Sequence, residues 1–186
     1  MNNNKYPGGN ELLDPQHLLQ DVLELSYGSK AADLGCGSMA FFTLEAAKLV
    51  GNKGQIFACD ILKDVLSSVE SKARQEGLYN IKTVWTNLEI AGASKIPAES
   101  VDYAFLVNTL FQTQKHLEML QEAYRLLKPA GKLLLIEWSP AGGPVGPVKS
   151  LRLAQSDVER MAAEVGFTKE KSFAAGQYHY GIIFVK

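Results

Sequence analysis

The sequence predicts an α/β fold, a mostly parallel sheet covered by helices on both faces. Three observations lead there. Short apolar runs alternate with helix-length amphipathic segments along the chain. A glycine-rich turn, Asp33-Leu34-Gly35-Cys36-Gly37-Ser38-Met39-Ala40, follows the first apolar run and opens a helix. The last two strand-like runs are joined only by Ala174-Ala175-Gly176-Gln177, too little chain for a parallel crossover, so they pair antiparallel.

Asp14 before Pro15 is a helix-start signal, an N-cap acid followed by a ring that presets φ. Leu18, Leu19, Val22, Leu23 and Leu25 continue at roughly helical spacing, and Gly28 is the expected stop. Strands are expected at Lys30 to Leu34, Gln55 to Asp60, Ile81 to Trp85, Val101 to Val107 and Lys132 to Trp138. Helices are expected at Phe41 to Val50, Leu62 to Glu76, Lys115 to Leu127 and Ser156 to Val165, with Ser156 as the last one's cap. Lys128-Pro129-Ala130-Gly131 reads as a stop and turn. The final strands are Phe167 to Phe173 and Tyr178 to Val185. Residues 1–10 form an expected loose arm, and the whole of 1–186 reads as one domain.

A chain of 186 residues can bury most of its apolar surface without a staple. Net charge is −1 with no basic block, which argues against a nucleic-acid partner. The longest apolar run, Lys132 to Trp138, is far too short to cross a bilayer, so no membrane insertion is expected. Cys36 and Cys59 lack the number and spacing of a disulfide framework or zinc site, and a cytoplasmic setting fits.

The glycine turn can hold a nucleotide-like ligand against its backbone. Taken alone it also fits a dinucleotide-binding turn. Two acids separate the readings. Asp33 stands two residues before Gly35; beside a pyrophosphate, like charges ~4 Å apart would cost about 4 kcal/mol at an effective dielectric of ~20. S-adenosylmethionine carries no phosphate, and its sulfonium and ammonium groups would welcome an acid there. Asp60 ends the next strand, where a carboxylate can take both ribose hydroxyls. The plainer roles are a turn aspartate for Asp33 and a helix cap for Asp60.

From about Leu12 to the C-terminus the sequence resembles the class I S-adenosylmethionine-dependent methyltransferases. Within them it looks closest to the broad group that includes the ubiquinone/menaquinone-biosynthesis (type 11) enzymes. Asp33, Gly35 and Gly37 match the acid-x-Gly-x-Gly pattern, and Asp60 the ribose-binding acid. Val101-Asp102-Tyr103-Ala104 with Leu106-Val107-Asn108 resembles the fourth-strand motif. Tyr124-Arg125-Leu126-Leu127-Lys128-Pro129-Ala130-Gly131-Lys132-Leu133 resembles the helix-turn-strand signature. The resemblance implies a Rossmann-like seven-stranded sheet of order 3-2-1-4-5-7-6, its last strand antiparallel. It also implies S-adenosylmethionine as cofactor, with Asp33, Gly35, Cys36, Gly37, Asp60, Ile61, Asn87, Leu88 and Asn108 as the residues that hold it, and a small-molecule methyl acceptor. Two departures stand out. Met39 replaces a third glycine, and Asn87 an acid before the adenine contact.

Methyl transfer needs alignment more than acid–base groups, so the lack of a triad is no objection. Acceptor-side candidates are Asn108, Thr109, Phe111, Trp138 and Ser139, with Tyr6 as the candidate lid. None of His17, His116 and His179 is assigned a catalytic role. Two cysteines so placed make a poor soft-metal site. The competing readings are a non-catalytic cofactor-binding or protein-interaction module, kept open by Met39, and a nicotinamide-dependent oxidoreductase.

Overall fold

The computed structural model describes residues 12–141, 143 and 145–186. The expected arm and Tyr6 lie outside the described residues. Seven strands, β1 (Lys30–Leu34), β2 (Gln55–Asp60), β3 (Ile81–Trp85), β4 (Val101–Val107), β5 (Leu127–Trp138), β6 (Thr168–Ala174) and β7 (His179–Val185), form one sheet in the order β3-β2-β1-β4-β5-β7-β6. β7 is antiparallel to both β5 and β6. Helices α1 (Pro15–His17), α2 (Phe41–Val50), α3 (Lys63–Gln75), α4 (His116–Leu126) and α5 (Gln155–Val165) complete the layers. The implied order is the one observed. β1 to β4 and α2 fall on the residues expected of them.

Alternation along each central strand divides the core in two. Ala31, Phe105, Val107, Leu134, Ile136 and Ile183 pack toward the first helical segment and α2. Ala32, Leu34, Leu106, Leu133, Leu135 and Phe184 pack toward the opposite layer, with Leu120 of α4 and Val158 of α5. Near-continuous burial of β1, β4 and β5 is what a sheet covered on both faces requires.

The ends of α3, α4 and β6 and the start of β7 each lie one residue from those expected, and three further elements differ from expectation for reasons visible in the structure. Asp14 caps α1 as expected, accepting the His17 N–H at 3.1 Å. α1 then widens into a π-helical turn, Leu18–Val22, and ends there rather than at Gly28. Glu24 takes a left-handed φ of 61°, and its carbonyl accepts the Tyr103 hydroxyl, which pulls the chain out of the helix. β5 begins at Leu127, not Lys132. Leu127 already pairs with Val101, and the Pro129–Gly131 stretch is an irregularity within the strand, with Ala130 at φ 63°. α5 begins at Gln155 with Ala154 as its cap residue, and Ser156 makes no capping bond.

α4 is tied to the segment before β4 by a buried carboxylate. Glu122 accepts from the Gly92 N–H, the Ser94 hydroxyl and the Arg125 guanidinium, while Arg125 also donates to the Ile96 carbonyl. Burial alone would raise the Glu122 pKa, but these donors outweigh it and hold it below the ordinary 4.5. Its stabilisation is therefore full above that value and is lost as pH falls through the depressed one. Glu122→Ala is expected to destabilise the protein by about 3 kcal/mol at neutral pH. Urea unfolding should show the deficit shrinking in acid.

Candidate active site

The glycine turn sits at the carboxyl end of β1, beside the tips of β2 and β4, where open α/β sheets hold ligands. The Gly35 and Cys36 N–H groups both donate to the Cys59 carbonyl, at 2.9 and 3.1 Å, which ties the turn to β2. Gly35 has φ 91°, and a Cβ there would lie 2.6 Å from Thr109 Cγ2. Thr109 rests on the bare backbone, its hydroxyl donating to the Leu34 carbonyl at 3.2 Å. Gly37 has φ 65° and nothing within 4 Å of where a Cβ would stand. That space is a cradle a ligand can enter. The left-handed turn continues at Ala40, φ 57°, and not at Met39. Met39 is 42% exposed and leaves the turn open.

Two cavities meet at this turn. One, of about 360 Å³, is bounded by Gly35, Gly37, Asp60, Ile61, Asn87 and Leu88 together with Thr86, Thr109, Gln112 and Met119. The other, of about 390 Å³, lies across the turn and is bounded by Cys36, Met39, Phe41, Val107, Asn108, Phe111, Trp138 and Pro147. Gly35, Gly37 and Gln112 border both. Of the expected cofactor residues, Gly35, Gly37, Asp60, Ile61, Asn87 and Leu88 thus gather in the first cavity. Cys36 and Asn108 face the second.

Asp33 lines neither cavity, and this corrects the expectation that it faces the ligand directly. It is buried behind the turn at 2% exposure, where it accepts the Thr43 hydroxyl of α2 at 2.6 Å. Burial pushes its carboxyl up to about 6, against the Thr43 bond and with help from the Asp60 charge. Asp60 borders the first cavity and turns the chain toward α3 without capping it, since the cap residue of α3 is Leu62. One oxygen accepts the Gly37 N–H at 3.3 Å and the other the Leu62 N–H at 3.0 Å. A carboxylate has about four acceptor positions, so hydroxyl donors can still be taken. Asn87 Oδ1 accepts the Glu89 N–H at 2.9 Å, which orients its amide at the cavity. Burial pushes the Cys36 thiol far up, with Asp33 and Asp60 adding to the effect, so it is neutral and inert. Among the described residues no cluster of three or more potential metal ligands occurs.

On the acceptor side, Trp138 stacks on His179 with ring centroids 4.1 Å apart. Burial, and then the Arg152 charge, pull His179 down to about 4, so it is neutral at physiological pH. Arg152 clasps the 139–147 loop through the Ser139, Gly143, Val145 and Pro147 carbonyls. Gly146 lies directly against the Trp138 ring. Ser139 lines neither cavity. His17 pairs with the exposed Asp21, and His116 opens α4. Sequence reasoning passed over Gln112, Glu137 and Arg152. For Glu137 a signal existed, a lone acid closing the run Leu133-Leu134-Leu135-Ile136.

The raised Asp33 value makes a stability statement. A folded pKa above the ordinary 3.8 means that ionisation costs stability as pH rises through about 6. Asp33→Asn removes that cost. It should stabilise the ligand-free protein above neutrality by up to about 3 kcal/mol and change little in acid, as read from urea midpoints across pH.

Several known proteins are similar to this chain. A demethylmenaquinone methyltransferase of Geobacillus sp. (strain WCH70) is 31% identical over 117 residues, 63% of this chain and 48% of that protein. The chain thus spans about half the length of the curated relatives it matches. The crystal structure of an S-adenosylmethionine-dependent methyltransferase from Aquifex aeolicus superposes with a TM-score of 0.87 at 24% identity, covering 97% of this chain and 93% of that one. A putative type 11 methyltransferase from Sulfolobus solfataricus gives 0.75 at 23% identity, over 93% and 92% of the two chains. These likenesses show the fold. Residues 16–145 match the model of the ubiE/COQ5 methyltransferase family, and the chain belongs to that family.

Proposed function

We propose that this chain transfers a methyl group from S-adenosylmethionine to a small, largely apolar acceptor by in-line displacement at carbon. The observation that carries the reading is the open backbone at Gly37, set where the two cavities meet and bonded to Asp60. The first cavity takes the nucleoside: Asp60 faces the ribose hydroxyls, and Asn87 and Leu88 the adenine. The second takes the acceptor.

Bound there, the cofactor supplies a methyl carbon on a positively charged sulfur, which leaves as a neutral thioether with the bonding pair. The chain's part is alignment and exclusion of water, which can supply ~7–11 kcal/mol of the barrier. Among the described residues bordering the acceptor cavity, Cys36 alone has an ionisable side chain, and its thiol is neutral. The acceptor therefore brings its own reactive lone pair or an easily lost proton. Phe41, Phe111 and Trp138 suit a flat aromatic ring, and the demethylmenaquinone methyltransferases among the relatives support a quinone-type acceptor. Two free, buried thiols suit a reducing setting such as the cytoplasm. No helix among the described residues is long and apolar enough to cross a membrane.

The competing readings have less support. Met39 leaves the turn open, so nothing there favours a non-catalytic module. The family match and the relatives are methyltransferases and lend no support to a nicotinamide cofactor.

Calorimetric titration should show micromolar binding of both S-adenosylmethionine and S-adenosylhomocysteine. Silence of both with the folded protein would refute the reading. Asp60→Ala is expected to weaken binding by about 2–4 kcal/mol, as loss of paired hydrogen bonds to a charged group predicts. Gly37→Ala should cost only about 1–2 kcal/mol of stability, from backbone strain. It should nevertheless abolish binding, because its methyl group occupies the cradle.

A further inference from the structure

Glu137 closes the apolar run of β5 with a fully buried carboxyl group. It alternates with Leu133 and Leu135 onto the face covered by α4 and α5. Oε1 accepts the Leu110 N–H at 2.7 Å, while Oε2 is buried and has no hydrogen-bond partner among the described residues. The backbone N–H groups of Phe111, Trp138 and Thr109 lie nearby and partly offset the effect of its burial. The short segment after β4 is thus gathered around one acid. That segment is the wall both cavities share. Thr109 seals the turn over Gly35, Phe111 borders the acceptor cavity, and Gln112 borders both. The wall leaves β4 through Asn108 at φ 55°, a strained exit that an anchor must offset.

Resting on the methyltransferase reading, we propose that Glu137 is a positioning residue whose ionised carboxylate holds the Thr109–Gln112 wall in the place where cofactor and acceptor meet. Burial pushes the carboxyl up to about 7 despite the N–H groups around it, so it changes charge near neutrality. When ionised it accepts strongly from the wall; when protonated it accepts weakly. Tyr180 of β7, its cross-strand neighbour, faces it with its hydroxyl donated to the Leu153 carbonyl. Asp157 and Glu159 of α5 lie beyond Tyr180. Glu122 of α4 is committed to Arg125. From the wall come only backbone N–H groups and uncharged side chains. Asp33 titrates in an adjoining range, but it sits against α2 and is present in both proteins compared below.

The test is the affinity for S-adenosylhomocysteine of wild type and Glu137→Gln, by calorimetry from acid to alkaline pH. Glutamine mimics the protonated acid at every pH. The two affinities should coincide at about pH 5, and wild type should bind about tenfold more tightly at about pH 8. A ratio that does not vary with pH, as a purely structural role would give, overturns the proposal. So does the absence of any difference. Wild type that binds nothing at any pH would fell the methyltransferase reading itself, and this inference with it. Should Glu137→Gln not fold, the Leu110 amide proton resonance of wild type decides. Movement through neutral pH supports the proposal, and a fixed resonance overturns it.

Discussion

At the tip of β1 the missing side chain of Gly35 lets Thr109 lie on the backbone of the turn. That contact joins the two halves of the sheet where the two cavities meet. β1 leads into the turn, β2 holds it through the Cys59 carbonyl, and the segment after β4 closes over it. The rest of the site follows from this junction. The turn can keep its left-handed residues because its N–H groups are already bonded to β2, and Gly37 is left facing open space.

The acids around the junction divide by what they are given. Asp102 accepts the Lys30 N–H and the Lys128 ammonium, and Glu122 accepts four donor contacts; both are held in the ionised form. Asp33 and Glu137 lie on opposite faces of the sheet, each facing hydrogen-bond donors but no basic side chain. Burial outweighs what they receive, and both shift toward neutrality. Two protonatable acids thus stand behind the walls of the site, while Asp60 stands in front of them at the first cavity.

Much of this was legible in the sequence. β1 to β4 are short apolar runs bounded by turn residues, and nothing in the tertiary structure moved their ends. The glycine turn and Asp60 announce themselves because backbone conformation and strand position are local properties. Roles that depend on where a distant segment returns were not legible. Asp33 reads as a strand-tip acid beside the turn until Thr43, ten residues on, is seen to bond it from α2. Gln112 becomes a shared wall only when the segment after β4 folds back, and Arg152 becomes a clasp only once the 139–147 loop closes on it. The start of β5 misled for a local reason. Pro129-Ala130-Gly131 has turn composition, yet β4 and the chain's last residue pair around it.

β6 has a consequence beyond the site. It is the outermost strand beside β7, and its sequence, Thr-Lys-Glu-Lys-Ser-Phe-Ala, is almost wholly exposed. Lys169 and Glu170 are paired with Glu159 and Lys132, and a register shift between Lys169 and Lys171 breaks the line of ladder partners. Such an edge offers a passing strand charges to desolvate and an uneven row of hydrogen-bonding groups. The sheet therefore stops at seven strands, and molecules crowded together during synthesis meet a border that resists stitching one sheet to the next.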